Sequence, residues 1–218
     1  MPGVSIIAPE QQAALLRFAI ETVTGIGELR SPDVVISDVL AATGAAVGLD
    51  RIWVTELADN EEPAFVVPFQ WMTTGVRAIE PTFFAQFSGN DPAIVAWHAD
   101  LARREPVVVT VRSTAPTVSR LLAELQLQSM LLMPFFDWER LSGHLGFGSS
   151  TLLDAWDESE LDTLRLVSQL VGSIARAPNA NASKDLGKRR NGFWGRPFSG
   201  RKRTQTRSGP ESRSSVRC

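Results

Sequence analysis

Segment 129–149 constrains the fold more than any other part of the sequence, because it predicts two strands joined by a short polar turn at 137–140. Odd-numbered and even-numbered positions of the first strand face opposite sides. Both sets are apolar: one side carries Leu131, Met133 and Phe135, and the other carries Met130, Leu132 and Phe136. A strand that is apolar on both sides is usually covered on both sides. The hairpin therefore predicts a sheet enclosed between two layers.

Helix and strand patterns flank this hairpin in a regular order. Helical spacing or helix start signals occur at 9–23, 31–47, 117–127 and 157–176. Strand patterns occur at 51–57, 64–72 and 106–111. The first two of these strands predict an antiparallel hairpin with one shared face, which carries Phe65, Val67, Phe69 and Trp71. The fold class predicted by this order is α/β (α+β).

Segment 73–105 is long for a plain connection between two strands. It contains two short helical patterns and is rich in aromatic residues, namely Phe83, Phe84, Phe87 and Trp97. Insertions of this kind often cover a cleft. We therefore expect it to lie over a binding site.

The last helix, 157–176, has the clearest start signal and the clearest stripe. Asp157, followed by Glu160, resembles a capping box. The apolar stripe consists of Leu161, Leu164, Val167, Val171 and Ile174. It predicts a helix packed on the sheet, and its near-heptad spacing also leaves open pairing with a second subunit.

The charge is divided between two parts of the chain. Residues 1–183 contain 11 Arg, no Lys and 22 acidic residues, whereas 184–218 contain 11 basic and 2 acidic residues. From 178 onward the sequence is polar and lacks apolar periodicity, which is typical of a disordered tail. Its basic runs could contact phosphates. An abrupt change of this kind is also typical of a frameshifted or truncated gene end.

Cysteine content and hydropathy exclude several classes of protein. The only cysteine is Cys218, which excludes an internal disulfide, a cysteine-rich zinc site and a cysteine-based redox centre. No apolar run approaches the roughly 18 residues that a membrane span needs. The first residues lack the pattern of a signal peptide. We therefore expect a cytoplasmic protein that does not associate with membranes.

Four motifs in order give the sequence a resemblance to a known family. LLMPF at 131–135 resembles the "LLVPL" strand of GAF domains, and RLSGHLGF at 140–147 resembles their "RLIGVLGF" strand. WDESELDTL at 156–164 is similar to the "WSEEEIDLL" helix start, and REPVVV at 104–109 is similar to "GEPVVV", with Arg104 where glycine is common. The resemblance covers 31–177.

The resemblance implies a central antiparallel sheet of about six strands with helices on both faces. It places an N-terminal helical extension at 1–30, the GAF-like domain at 31–177 and the basic tail at 178–218. It implies small-molecule sensing, dimerisation and partnership with output domains such as histidine kinases or cyclic-di-GMP turnover domains. Bilin binding in this family usually needs a cysteine within the domain, and 31–177 has none. We therefore expect no bilin. Haem needs an axial ligand, often histidine, and the two histidines of the chain are better explained as ordinary protein side chains, so we expect no haem and predict no cofactor.

Candidate site residues are aromatic or polar side chains on the first strands, the insertion and the hairpin. They are Trp53, Phe69, Trp71, Trp97, Arg112 and His144. His144 interrupts an apolar strand, whereas His98 is expected to be exposed or locally hydrogen-bonded. Pockets for small molecules are largely apolar with a few polar anchors, a role suited to His144 and Arg112. Two histidines and no cysteine in the domain make a zinc site improbable.

The sequence thus favours a sensory or regulatory domain that binds an unidentified small molecule, forms a homodimer and has no enzymatic activity. No nucleophile elbow or phosphate-binding loop is present. The alternative is a nucleic-acid-associated regulator that uses the tail 184–218. Nucleic-acid binding that weakens with salt and disappears when the tail is deleted would distinguish this alternative.

Overall fold

The computed structural model describes residues 7–25, 31–57, 65–87, 91–113 and 115–176. The α-helices in these ranges are α1 (Pro9–Gly25), α2 (Pro32–Val47), α3 (Pro92–Ala102), α4 (Pro116–Leu125) and α5 (Glu158–Arg176). The strands are β1 (Arg51–Leu57), β2 (Phe65–Met72), β3 (Val107–Thr110), β4 (Ser129–Asp137) and β5 (Arg140–Ser149). A 3₁₀ helix spans Phe83–Gln86. The basic tail lies outside the described residues.

The strands form one antiparallel sheet with the order β2-β1-β5-β4-β3. About six strands were expected, and the described ranges contain five. Beyond β2, the side chain of Gln70 binds both backbone groups of Ile79, with N···O distances of 2.7 and 2.8 Å. The backbone N–H of Val67 also donates to the carbonyl of Pro81, at 3.0 Å. Segment 79–81 thus lies beside β2 and is held there by these few hydrogen bonds. It does not form the regular ladder of a sixth strand.

Helices cover both faces of the sheet, as the hairpin 129–149 predicts. Helices α2 and α5 pack on one face, with α1 packed against these two helices, and the core there includes Ile52, Val54, Leu131, Met133, Phe135, Leu145 and Phe147. The opposite face carries α3, α4 and the 3₁₀ helix, and its core includes Trp53, Val107, Val109, Met130 and Leu132. A register shift between Phe135 and Phe136 ends the alternation in β4.

A bulge in β2 changes which side chains share a face. Val54 of β1 pairs with Phe69, but Glu56 pairs with Val66, so β2 contains one extra residue. Val67 is buried with the α3 and α4 side, whereas Phe69 and Trp71 pack on the α1, α2 and α5 side. The prediction that these three residues share one face is therefore wrong. Pro68 lies within the bulge, where its missing N–H interrupts no regular ladder.

Helix α5 begins with the predicted capping box. The Glu160 N–H donates to Oδ1 of Asp157 at 2.8 Å, and the Asp157 N–H donates to Oε2 of Glu160 at 2.9 Å. The other carboxylate oxygen of Glu160 accepts the N–H of Ile7 at 2.7 Å, so the cap also fixes the chain that leads into α1. The stripe Leu164, Val167, Val171 and Ile174 is buried against the sheet, as the packing interpretation predicts.

None of the helices in the described ranges combines the length and the hydropathy that crossing a bilayer requires.

Candidate ligand cavity

A small cavity lies between the sheet and the helices α3 and α4. Its volume is about 40 Å³. It is lined by side chains from the 3₁₀ helix and the turn after it, from α3 and α4, and from strands β4 and β5: Phe84, Phe87, Ile94, Trp97, His98, Leu101, Leu121, Met130, Leu132 and His144. The walls are almost wholly apolar, and the two imidazoles are the polar exceptions. Segment 73–105 thus contributes one wall of this cavity, as its length and composition predict.

The structure brings together only part of the predicted site. Trp97 and His144 line the cavity. Trp53 is fully buried on the same face of the sheet, and its ring stacks on Phe84 with centroids 6.0 Å apart. Trp53 fits there because the facing residue is glycine: a Cβ on Gly146 would lie 2.1 Å from the indole.

The remaining three predicted residues lie elsewhere. Phe69 and Trp71 belong to the core on the opposite face, because the β2 bulge places them there. Arg112 lies in the turn after β3, where its exposed guanidinium forms an ion pair with Asp154. None of the three reaches the cavity, so they do not form one pocket with Trp97 and His144.

His98 is the main functional candidate that the sequence interpretation missed. The sequence predicts that it is exposed or locally hydrogen-bonded, whereas in the structure it is half-buried and lines the cavity. The signal was present in α3: Ile94, Trp97, His98 and Leu101 follow i, i+3, i+4, i+7 spacing and therefore share the inward face. The chain's only two histidines thus line the same cavity.

Burial keeps both imidazoles neutral. Desolvation, with a smaller contribution from the charge of His98, lowers the pKa of His144 to about 3. Desolvation also lowers the pKa of His98. Because a neutral imidazole offers one N–H donor and one nitrogen acceptor, each histidine can bind a polar group of a ligand.

Two further polar atoms lie on this face of the sheet without hydrogen bonds. Both Nε1 of Trp53 and Oγ1 of Thr55 are buried and have no hydrogen-bond partner among the residues that the structure describes. Thr55 pairs across the strands with His144, which places it next to the cavity wall. An unsatisfied buried polar group costs about 1–3 kcal/mol. A ligand with hydrogen-bonding groups at this wall would remove part of that cost.

The chemistry available here is binding rather than metal coordination. Within the ranges that the structure describes, no three His, Cys, Asp or Glu side chains come together to hold a metal ion. The cavity walls contain no hydroxyl, thiol or carboxylate beside the imidazoles.

Comparisons with known proteins identify the fold and the family. The GAF domain family model matches residues 31–174. The phycocyanobilin-bound GAF domain of a cyanobacterial phytochrome is 18% identical, with 78% of this chain and 96% of that chain covered and a TM-score of 0.59. The phycoerythrobilin-bound GAF domain of a cyanobacterial phytochrome is 17% identical, with 77% and 96% covered and a TM-score of 0.61.

A third similar structure comes from a protein that is not described as a phytochrome. The GAF domain of a proposed sensor histidine kinase from Pseudomonas syringae pv. tomato is 20% identical, with 83% of this chain and 96% of that chain covered and a TM-score of 0.50. No curated protein matches the sequence. The family match spans most of the described chain, and the single antiparallel sheet with helices on both faces agrees with it. The chain therefore belongs to the GAF domain family.

Proposed function

We propose that this protein is a non-enzymatic sensory domain that binds a small molecule between the sheet and helices α3 and α4. Its partners are a second copy of the chain and an output protein such as a kinase or a cyclic-di-GMP turnover protein. The observation that carries the proposal is the cavity itself, in which both histidines of the chain meet among apolar side chains. Largely apolar walls with a few polar anchors are typical of small-molecule sites.

The volume of the cavity indicates how a ligand would act. A volume of about 40 Å³ is far below the roughly 300–1,000 Å³ that is usual for small-molecule pockets. A metabolite therefore needs space that Phe84, Phe87 and Trp97 now fill. Binding would favour a conformation in which the 3₁₀ helix and α3 move away from the sheet. That displacement couples ligand occupancy to the structure of the domain.

The residues present do not form a bilin or haem site in this conformation. A covalently attached bilin needs a thiol, and residues 31–174 contain no cysteine. A tetrapyrrole or a haem would require a much larger displacement of Phe84, Phe87 and Trp97 than a smaller molecule would. We therefore propose a smaller ligand with hydrogen-bonding groups that match His98 and His144.

The test is purification of the full chain from its native host, followed by mass spectrometry and absorption spectroscopy. We expect a co-purifying small molecule. Its amount should fall at least tenfold in His144→Leu, which removes one polar anchor and keeps an apolar side chain. Trp138→Ala is the matched control, because Trp138 is 92% exposed in the turn between β4 and β5.

Two results would contradict the proposal. If the wild-type protein carries no small molecule, the proposal that it binds one is contradicted. Equal occupancy in the wild type and in His144→Leu would place the ligand outside this cavity.

A further inference from the structure

A second cleft, at the other end of the same face, contains a buried and unpaired arginine. Arg51 begins β1 and is only 5% exposed. Its Nε has no hydrogen-bond partner, and the guanidinium forms no ion pair within the described ranges. The neighbouring Asp50 attracts it only at a distance, while the Asp50 carboxylate accepts the N–H of Ser150.

This arrangement is costly for the folded protein. Arginine cannot lose its proton at neutral pH, so Arg51 stays charged although burial lowers its pKa. A buried charge without a partner is strongly unfavourable, and an apolar residue of similar size is often more stable there. The side chain is accommodated by Gly148, because a Cβ at that position would lie 3.0 Å from Cγ of Arg51.

The cleft beside Arg51 is large enough for a ligand. Its volume is about 420 Å³, within the roughly 300–1,000 Å³ that is usual for small-molecule pockets. Its walls come from the start of β1, the segment after β2, the 3₁₀ helix and the end of α4. We call it the Arg51 cleft. Its aromatic wall, Phe83, contacts Phe84 and Phe87 of the histidine cavity, with ring centroids 5.1 and 5.4 Å apart.

Among the described residues, the acidic side chains at the cleft form no ion pair with its two arginines, so both arginines can bind an anion. A second arginine, Arg77, is exposed at the cleft and has no ion pair among the described residues. The Glu124 carboxylate accepts from Nε2 of Gln86 at 3.0 Å and lies 3.8 Å from Nε of Arg120. Glu80 is exposed and lies at the rim. The remaining lining includes the apolar side chains of Ile79, Phe83 and Leu125.

We propose that the Arg51 cleft binds a small organic anion. Its oxyanion group, a carboxylate or a phosphate, pairs with the guanidinium of Arg51, and Arg77 adds a second positive charge. Its hydrocarbon part lies against Phe83, Ile79 and Leu125. The planar fork of an arginine matches the two oxygens of such a group and binds them with two parallel hydrogen bonds. This site is separate from the histidine cavity, and the inference does not depend on the function proposed for that cavity.

The test is thermal unfolding and calorimetric titration of the full chain at fixed ionic strength. The probes are benzoate, hexanoate, phenyl phosphate and inorganic phosphate, with chloride as the reference anion. We expect saturable stabilisation by at least one organic anion. Saturation by the two carboxylates alone identifies a carboxylate site, and saturation by phenyl phosphate alone identifies a phosphate site.

Two variants at Arg51 separate binding from structure. Arg51→Met should weaken anion binding about thirtyfold or more, because it removes one partner of a buried charge pair. In the absence of anion, the same variant should unfold at a higher temperature than the wild type, because it removes the unpaired charge. Arg51→Lys keeps the charge but not the fork, and should also bind more weakly.

Arg112→Met is the matched control, because Arg112 is exposed, pairs with Asp154 and does not line the cleft. It should bind the anion within about twofold of the wild type. The proposal is overturned if no probe gives a saturable effect, or if Arg51→Met and Arg51→Lys bind as well as the wild type. His144→Leu leaves Arg51 intact, so it tests only the ligand site in the histidine cavity, whereas the Arg51 variants test only anion binding in the Arg51 cleft. Failure of one proposal can therefore be distinguished from failure of the other.

Discussion

A single side chain, His144, contributes strongly to the way in which the protein responds to acid. It lies in a buried strand opposite Thr55 and Pro134 and faces the cavity that His98 also lines. The sequence shows it as a polar residue in an apolar strand, which is why it could be predicted as a site residue. His98 is harder to predict, because it interrupts no apolar strand and only the i, i+3, i+4, i+7 spacing of α3 indicates that it faces inward.

Acid should destabilise the protein through His144. Its pKa is about 3 in the folded state and about 6.5 in an unfolded chain, so the unfolded chain binds more protons between these values. Stability is therefore complete above about pH 6.5 and is lost as the pH falls. From about pH 7 to about pH 5 the free energy of unfolding should decrease by about 2 kcal/mol from this group alone.

Urea unfolding of the wild type and of His144→Leu at both pH values measures this effect. The variant should lose about 2 kcal/mol less than the wild type over this interval. His98 also has a lowered pKa, so His98→Gln should reduce the remaining dependence. An identical loss in all three proteins would show that neither imidazole is buried and neutral.

At the scale of elements, the sheet and its two helical layers were predictable, and the faces of β2 were not. A strand that is apolar at successive positions requires two covers, so β4 alone indicates the layers. The faces of β2 depend on one extra residue at Val67 and Pro68, and a period of two residues cannot reveal where a bulge occurs. For that reason a two-residue period places Phe69 and Trp71 on the same face as Val67, whereas the structure places them on the opposite face.

The packing of α5 on β4 gives a prediction at this scale. Gly172 of α5 faces Phe135, and a Cβ there would lie 2.5–2.8 Å from Cδ2, Cγ and Cβ of that residue. Phe135 is 1% exposed, and these atoms are close to its backbone, so it cannot move aside easily. Alanine in a helix is normally about 1 kcal/mol better than glycine. Here overpacking should reverse the sign, and Gly172→Ala should lower the free energy of unfolding by about 1–2 kcal/mol.

Urea unfolding tests this prediction, with Ser173→Ala as the control. Ser173 is the next residue of α5 and is exposed, with its hydroxyl bonded to the carbonyl of Gln169. Its replacement should change stability by less than about 0.5 kcal/mol. A more stable Gly172→Ala protein would mean that α5 does not approach β4 as closely as described.

At the scale of the whole molecule, the layer α1, α2 and α5 is the surface on which the proposed homodimer depends. The buried stripe of α5 is occupied by its own sheet, so it cannot also serve a second subunit. Each helix of the layer nevertheless exposes a large apolar side chain: Ile20 is 64%, Val34 47% and Leu166 58% exposed. A partner surface that covers these side chains would bury apolar area and favour association.

The homodimer is testable by sedimentation of the full chain over a range of concentrations. We expect a dimer for the wild type and a shift to monomer for Leu166→Glu, because a charge in an apolar contact between subunits is costly to bury. Trp138→Glu is the control, since Trp138 is the most exposed large apolar residue described and lies in the β4–β5 turn instead of the helical layer. It should remain dimeric. A wild type that stays monomeric at about 100 μM would contradict this assignment, because stable interfaces usually have dissociation constants well below that value. Equal dissociation of both variants would contradict the choice of the helical layer.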